Sequence, residues 1–294
     1  MPELSDRSLG ARTTLRVGGL ARRFFSVSDL TELEAIAHGL SIDEPIFILG
    51  RGSNTLVADA GFEGTVLQLG EGFQGIEFVD HGEYCVVEAG AGVDLPVLAR
   101  RCVEQGLEGF TWAVGVPGSL GGAIRMNAGG HGSDMSASVV SVTVFDLATK
   151  HYVTKSVEDL GYAYRHSTIA ATDVVVSAKL KLMPGDQDVE RLGLSSIVQW
   201  RRANQPGGAN CGSVFTNPST DSAGALIDRA GLKGYRRGSA AVSSKHANFI
   251  QADAGGRADD VAALIRDITE RVEQDSGVRL TTEVRMVGFG DRDA

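Results

Sequence analysis

Apolar positions recur along this chain with two periods, and each period predicts its own elements. Leu30, Leu33, Ile36, Ala37 and Leu40 stand at helical spacing, with Ser28 placed to cap the helix. Leu95, Leu98, Cys102 and Val103 predict a second helix, capped by Asp94, with Pro96 in its first turn and Gly106 as its stop. The clearest amphipathic helix carries Val261, Leu264, Ile265, Ile268 and Val272 and ends at Gly277. Further helices are expected from a connection at 186–188 up to Trp200, and over 223–230. Apolar or alternating runs predict strands over 22–25, 46–49, 65–69, 76–79, 84–89, 139–145, 174–182, 246–250 and 278–287. Strands dominate the first part, and helices and strands mix in the last third. That order predicts an α+β chain in two or three lobes, with a boundary near Pro184.

Four stretches fit neither period. Three are centred on glycine: 50–54, 90–93 and 115–130, each following an extended segment. The longest is almost uncharged. Each Gly costs a helix about 0.5–1 kcal/mol against Ala, so this stretch is expected to be loop rather than helix. Missing Cβ atoms and available N–H groups make anion-binding concavities. A tight loop between strands remains the alternative, and 50–54 taken alone reads as a turn. No G-x-G-x-x-G fingerprint and no Gly-Lys-Ser/Thr phosphate loop is present. The fourth stretch, 162–167, is polar and aromatic.

Composition narrows the classes. The chain has 294 residues, and 38 of them are Gly. That share, about 13%, is nearly twice the usual one and points to tight turns and close backbone approaches. The formal charge of −9 argues against broad binding to nucleic acid or a membrane surface. An anionic ligand would need a local basic pocket. Cys85, Cys102 and Cys211 have no C-x-x-C spacing and are expected to be reduced thiols in a cytoplasmic protein. No secretory signal and no apolar run long enough to span a bilayer is visible. None of the six His is paired at metal-ligand spacing, so no metal site is expected.

Taken together, the glycine stretches, Tyr164-Arg165-His166-Ser167, the run 212–218, His246-Ala247-Asn248-Phe249 and Thr282-Glu283-Val284-Arg285 resemble one family. It is the UDP-N-acetylenolpyruvoylglucosamine reductase (UDP-N-acetylmuramate dehydrogenase) family, over about 13–288 and in unbroken order. The segment 182–201 is short, as in the compact second type. The resemblance implies a two-lobed FAD-binding domain of the vanillyl-alcohol-oxidase (PCMH) type over 15–183, with its lobes dividing near 70–75. A C-terminal α+β substrate-binding domain is implied over 188–290. It also implies non-covalent FAD, NADPH as reductant, UDP-N-acetylglucosamine-enolpyruvate as substrate, and a monomer. Gly50, Arg51, Gly52, Ser53 and Asn54 match the family's FAD contacts, as do Gly115, Val116, Pro117, Gly118, Ser119, Gly121, Gly122, Asn127 and Ala128.

The same resemblance implies three catalytic residues. Arg165 matches the family's Arg, and a guanidinium fork suits a carboxylate that gains charge. Ser213 matches the proton donor, and Glu283 matches a Glu that would share or carry a proton if buried. Tyr164, Gln205, Asn217 and His246 are implied as substrate contacts, with Arg201, Arg202 and Lys233 as possible sources of positive charge. Three positions depart from the family pattern: Thr216 where Lys is usual, His131 where Tyr is usual, and Arg125 where smaller or apolar residues are commoner.

Overall fold

The structure, a computed structural model, describes residues 3, 7–41 and 44–290. The chain forms two compact units. The first holds residues 23–51 and 64–201; the second holds 7–22, 52–63 and 202–290. Residues 52–63 therefore fold with the C-terminal segment, and the chain leaves the first unit between Arg201 and Arg202.

The first unit is built on an antiparallel sheet in the order His151–Ser156, Val139–Asp146, Asp173–Pro184, Cys85–Gly90, Ile76–Asp80. Alternation sets its faces: Cys85, Val87 and Ala89 of one strand point into the core. The helix Leu95–Glu104 buries Leu95, Leu98, Ala99, Cys102 and Val103 in the same core. A second apolar cluster gathers Phe25, Val27, Leu33, Ile36, Leu67, Phe73, Phe145 and Val174.

The second unit has a four-stranded antiparallel sheet in the order Asn210–Ser213, Phe249–Ala252, Ala240–Val242, Arg236–Arg237. The helix Ala258–Ser276 packs its apolar stripe of Val261, Leu264, Ile265, Ile268 and Val272 into this unit's core. Each such buried side chain contributes about 1.5–3 kcal/mol. The strand Arg285–Val287 runs parallel to Thr55–Val57.

Four expectations need correction. The stretch 115–130 is not all loop, because Leu120–Met126 is an α-helix. Ser119 caps it by accepting from the Gly122 N–H, and Leu120, Ala123 and Ile124 are buried, so capping and burial overcome the glycine cost. The first helix is capped by Asp29 rather than Ser28. Asp29 Oδ1 accepts from Glu32 N–H at 2.8 Å, while Glu32 reaches back to the Ser28 N–H at 2.6 Å. The strand expected over 246–250 is Phe249–Ala252, since Ser243 Oγ holds 243–246 in a turn. The strand expected over 278–287 is confined to Arg285–Val287, and Thr282 makes an isolated bridge to Phe215.

Candidate active site

The three glycine-centred stretches meet. The Ala91 carbonyl accepts from the Gly121 N–H at 2.9 Å, and the Val93 carbonyl from the Leu120 N–H at 2.8 Å. Gly50 lies against Ser119, where a Cβ on Gly50 would sit 2.6 Å from Ser119 Oγ. Gln68 Nε2 holds the Gly50 carbonyl at 2.9 Å. Asp94 occupies the cap position of its helix, yet its side chain caps nothing. It pairs with Arg51 Nε at 3.0 Å, a pair open enough to solvent to add little stability.

This region fits a flavin dinucleotide on its own geometry. Among the described residues, the amides of 50–54 have no backbone acceptor, so consecutive N–H groups are available to a pyrophosphate. Gly122 is exposed, and a Cβ there would meet nothing closer than Ser119 Oγ at 3.5 Å. Trp112 Nε1 and Tyr162 Oη are buried in the neighbouring core without a hydrogen-bond partner among the described residues. Burial, and then the charge of Asp134, push the Tyr162 phenol up from its ordinary value.

Asn127 is 2% exposed and takes the left-handed conformation that ends the helix, with φ at 40°. Its Nδ2 donates to Asp134 Oδ2 at 3.2 Å and to the Ala163 carbonyl at 3.0 Å, and its Oδ1 accepts from Ser136 N–H at 3.1 Å. Ala128 likewise bonds inward, donating to Ala123 and accepting from Met135. Of Val116, Pro117 and Gly118, the first and last also bond within the loop, Val116 to Ala113 and Gly118 to Val116.

Ala163 and His166 pair as a minimal hairpin whose tip is Tyr164-Arg165. Arg165 is held at φ of 56°, a left-handed conformation costly for a bulky residue and often found at functional sites. Its Nη2 donates to the Gly129 carbonyl at 2.8 Å, and its guanidinium lies over the exposed Tyr164 ring at 5.0 Å. Arg165 thus meets the glycine-rich segment within the first unit.

In the second unit, Gly212 at φ of 76° shifts the strand register just before Ser213, an irregularity that re-aims the next side chain. Glu283 N–H donates to the Val214 carbonyl at 2.8 Å, so Glu283 is fixed beside Ser213. Asn54 grips the same segment from the other side: its Nδ2 donates to the Glu283 carbonyl at 3.0 Å and its carbonyl accepts from Arg285 N–H at 3.0 Å. Burial, and to a lesser degree the Glu283 charge, push the Cys211 thiol up to about 12. That thiol is an unreactive neighbour.

The remaining expected contacts are local. Asn217 Oδ1 accepts from Ala223 N–H at 3.0 Å, next to the Ser222 cap of Ala223–Arg229. Half-buried Gln205 follows the helix Gln187–Asn204. His246 Nδ1 accepts from Asn248 N–H at 3.3 Å, and its ring meets Phe249 edge-on. Lys233 bonds Asp228 at 2.6 Å, and Lys245 Nζ caps the Arg202 carbonyl at 2.5 Å. Arg201 is half-buried near Gly115, and burial lowers its pKa from the ordinary value.

Two family descriptions match the chain: "FAD binding domain" over residues 24–154 and "UDP-N-acetylenolpyruvoylglucosamine reductase, C-terminal domain" over residues 204–287. The UDP-N-acetylenolpyruvoylglucosamine reductase of Alkalilimnicola ehrlichii is 40% identical over 279 residues, covering 94% of this chain and 91% of that one. The protein of the same name from Synechococcus elongatus is 42% identical over 287 residues, with 95% and 93% covered. This chain belongs to the UDP-N-acetylenolpyruvoylglucosamine reductase family. The crystal structure of the reductase from Thermus caldophilus superposes with a TM-score of 0.82 at 33% identity, covering 97% of this chain and 98% of that one.

Within this reductase family, two residues do more for the site than the sequence indicates. Asn248, 3% exposed, bonds both main-chain groups of Phe215, accepting from its N–H at 3.0 Å and donating to its carbonyl at 2.8 Å. It steadies the strand end just beyond Ser213. Asn54 was read as a cofactor contact alone, and its grip on Glu283 spans 229 positions of sequence that no local pattern relates. The departures also find places. Thr216 pairs with Thr281 through its main chain at 3.0 Å. His131, at φ of 52°, sits edge-on to Trp200 at 5.1 Å. Arg125 donates to the carbonyls of Ile169 and Ala170.

Proposed function

We propose that this protein is an NADPH-dependent flavoenzyme that reduces UDP-N-acetylglucosamine-enolpyruvate to UDP-N-acetylmuramate for peptidoglycan synthesis in the cytoplasm. Family membership supports the reaction class. The observation that carries the residue assignment is the pinning of Glu283 to Val214, beside Ser213. FAD is assigned to residues within 15–183 and the substrate to residues within 188–290, although 188–201 fold with the first unit and 15–22 and 52–63 with the second; the matched segments 24–154 and 204–287 support the division. The protein is expected to act as a monomer.

When bound, FAD would supply hydride, taken from NADPH, to the methylene carbon of the enol ether. The chain's own residues manage the charge and the proton. Arg165 offers a planar fork to the substrate carboxylate as negative charge spreads into it, where a charge-assisted bond is strongest. Ser213 gives its hydroxyl proton to the adjacent carbon and regains one from solvent. Glu283, held by main-chain bonds on both sides, shares a proton with the enolate oxygen by hydrogen bonding and keeps it once Ser213 has protonated the carbon. Gly50, Arg51, Gly52, Ser53 and Asn54 would hold the cofactor by main-chain N–H groups, with Ser119, Gly121 and Gly122 beside it, since the amides of Gly121 and Gly122 are already bonded to Ala91 and Ser119. Tyr164, Gln205, Asn217 and His246 complete the substrate contacts.

Purified protein is expected to be yellow, to bleach with NADPH under anaerobic conditions, and to recover its oxidised spectrum on adding UDP-N-acetylglucosamine-enolpyruvate. A bleached protein that the substrate cannot reoxidise refutes this function. Ser213→Ala is expected to keep flavin reduction and slow reoxidation by about a thousandfold or more, the loss typical of removing a positioned proton donor. Equal losses in both half-reactions would remove Ser213 from that role.

A further inference from the structure

We propose that Arg125 is a positioning residue, through which this chain fixes the Arg165 hairpin to the glycine-rich helix. The inference rests on the function proposed above and names a residue that function does not use. Arg125 lies in the last turn of Leu120–Met126. Its Nη1 donates to two consecutive carbonyls, those of Ile169 and of Ala170, the latter at 2.8 Å. Its own carbonyl accepts from Ser167 Oγ at 2.6 Å. Main chain and side chain of one residue therefore bracket the segment 167–170.

The hairpin immediately before that segment cannot hold itself. Its ladder is the single pair Ala163 and His166, and a pair of strands that short has no independent stability. Arg165 nevertheless sits in a left-handed conformation, which persists only where the surroundings over-determine it. Thr168 bonds the Leu160 and Asp159 carbonyls at 2.9 and 2.8 Å, and the remaining surroundings are the C-terminal end of one helix. Asn127 ties Ala163, Gly129 ties the Arg165 guanidinium, and Arg125 ties 167–170. At its other end the same helix begins with Ser119, Gly121 and Gly122. A single rigid element thus links the proposed cofactor contacts to the proposed carboxylate fork. An apolar residue at 125 would leave the Ile169 and Ala170 carbonyls without these bonds and the hairpin held from one side. Both bonds come from the one nitrogen Nη1, so Lys, whose ammonium carries three donors, could keep part of this contact.

The test separates the two half-reactions in Arg125→Met, Arg125→Lys, Arg165→Met and the double variant Arg125→Met/Arg165→Met. Misplacing a reacting group by about 1 Å costs on the order of a hundredfold. Arg125→Met is accordingly expected to slow reoxidation by the enolpyruvyl substrate about tenfold to a hundredfold. Reduction by NADPH should stay within about twofold, since that step needs no carboxylate fork. Arg125→Lys should show a smaller loss in the same step, and it carries the test if Arg125→Met does not fold. In the double variant, Arg125→Met should add nothing to the loss already caused by Arg165→Met. Multiplying losses, equal losses in both half-reactions, or a reoxidation rate matching the wild type would overturn the proposal. Failure of the wild-type protein itself to be reoxidised by the substrate would instead sink the underlying function.

Discussion

Two buried asparagines show how much of the candidate site depends on single side chains. Asn127 and Asn248 are each almost fully enclosed, and each uses its carboxamide as both donor and acceptor to main chain. Such a residue has no isosteric replacement. Asp matches the shape but cannot donate, and Leu can do neither. Asn248→Ala would leave the Phe215 N–H and C=O unsatisfied in a buried setting. The expected cost is about 2–4 kcal/mol of unfolding free energy, read from denaturant titration. Asn248→Asp should lose part of that, because it keeps one of the two bonds. A loss below about 0.5 kcal/mol for Asn248→Ala would show that solvent reaches Phe215 and that the clamp is unimportant. These roles were poorly legible beforehand. Asn127 sits in a motif that a flavin reading assigns to the cofactor, while its partners Asp134, Ser136 and Ala163 lie on other elements. A sequence displays residue types in order; it does not display which distant carbonyl a carboxamide will find.

The helix Leu120–Met126 is the element on which composition misled, and the reason is instructive. Propensity argues against a helix containing Gly121 and Gly122, but capping by Ser119 and burial of Leu120, Ala123 and Ile124 outweigh it. The two glycines then differ in kind. A Cβ on Gly121 would lie 3.0 Å from Ala91 Cβ and 3.3 Å from its carbonyl oxygen, and Ala91 is buried with nowhere to move. Gly121 is therefore required by packing inside the unit. Gly122 is not, since its added Cβ would make ordinary contact at 3.5 Å. Gly122→Ala is expected to stabilise the FAD-free protein by about 0.5–1 kcal/mol, the helix propensity difference. If the position is reserved for close approach of FAD, the same variant should bind FAD more weakly in equilibrium dialysis. Raised stability with unchanged FAD affinity would free Gly122 from any cofactor role. Gly121→Val should destabilise the protein whether or not FAD is present. The strong periodic elements, such as Ala258–Ser276 and Cys85–Gly90, were legible because burial alone decides them.

For the whole molecule, the sequence conveyed family and fold class through motif order, but not the way the chain divides. Residues 52–63 fold with the C-terminal segment because Thr55–Val57 pairs with Arg285–Val287, a pairing far apart in sequence that periodicity cannot reveal. Stability against pH sums over the whole chain, and here it separates into two windows. Asp221, lowered by its bond to Arg229, and Asp260, lowered by its bonds to Ser239, have folded pKa values below 3.8. Their contribution is complete above 3.8 and is lost only as pH falls through those lower values. His246 acts in a higher window. Burial, and then the charge of Lys233, lower its pKa from 6.5, and its Nδ1 must stay unprotonated to accept from Asn248 N–H. Above 6.5 both folded and unfolded forms are neutral, so no proton is taken up on unfolding. Below 6.5 the unfolded chain binds the proton first, and stability must fall with pH until the folded value is also passed. The denaturant midpoint is therefore expected to drop as pH falls below about 6.5, above the carboxylate window. His246→Gln, which can still accept from Asn248 but does not titrate, should flatten that drop. An equally steep decline in His246→Gln would assign it to other groups and detach His246 from the stability of the Asn248 turn.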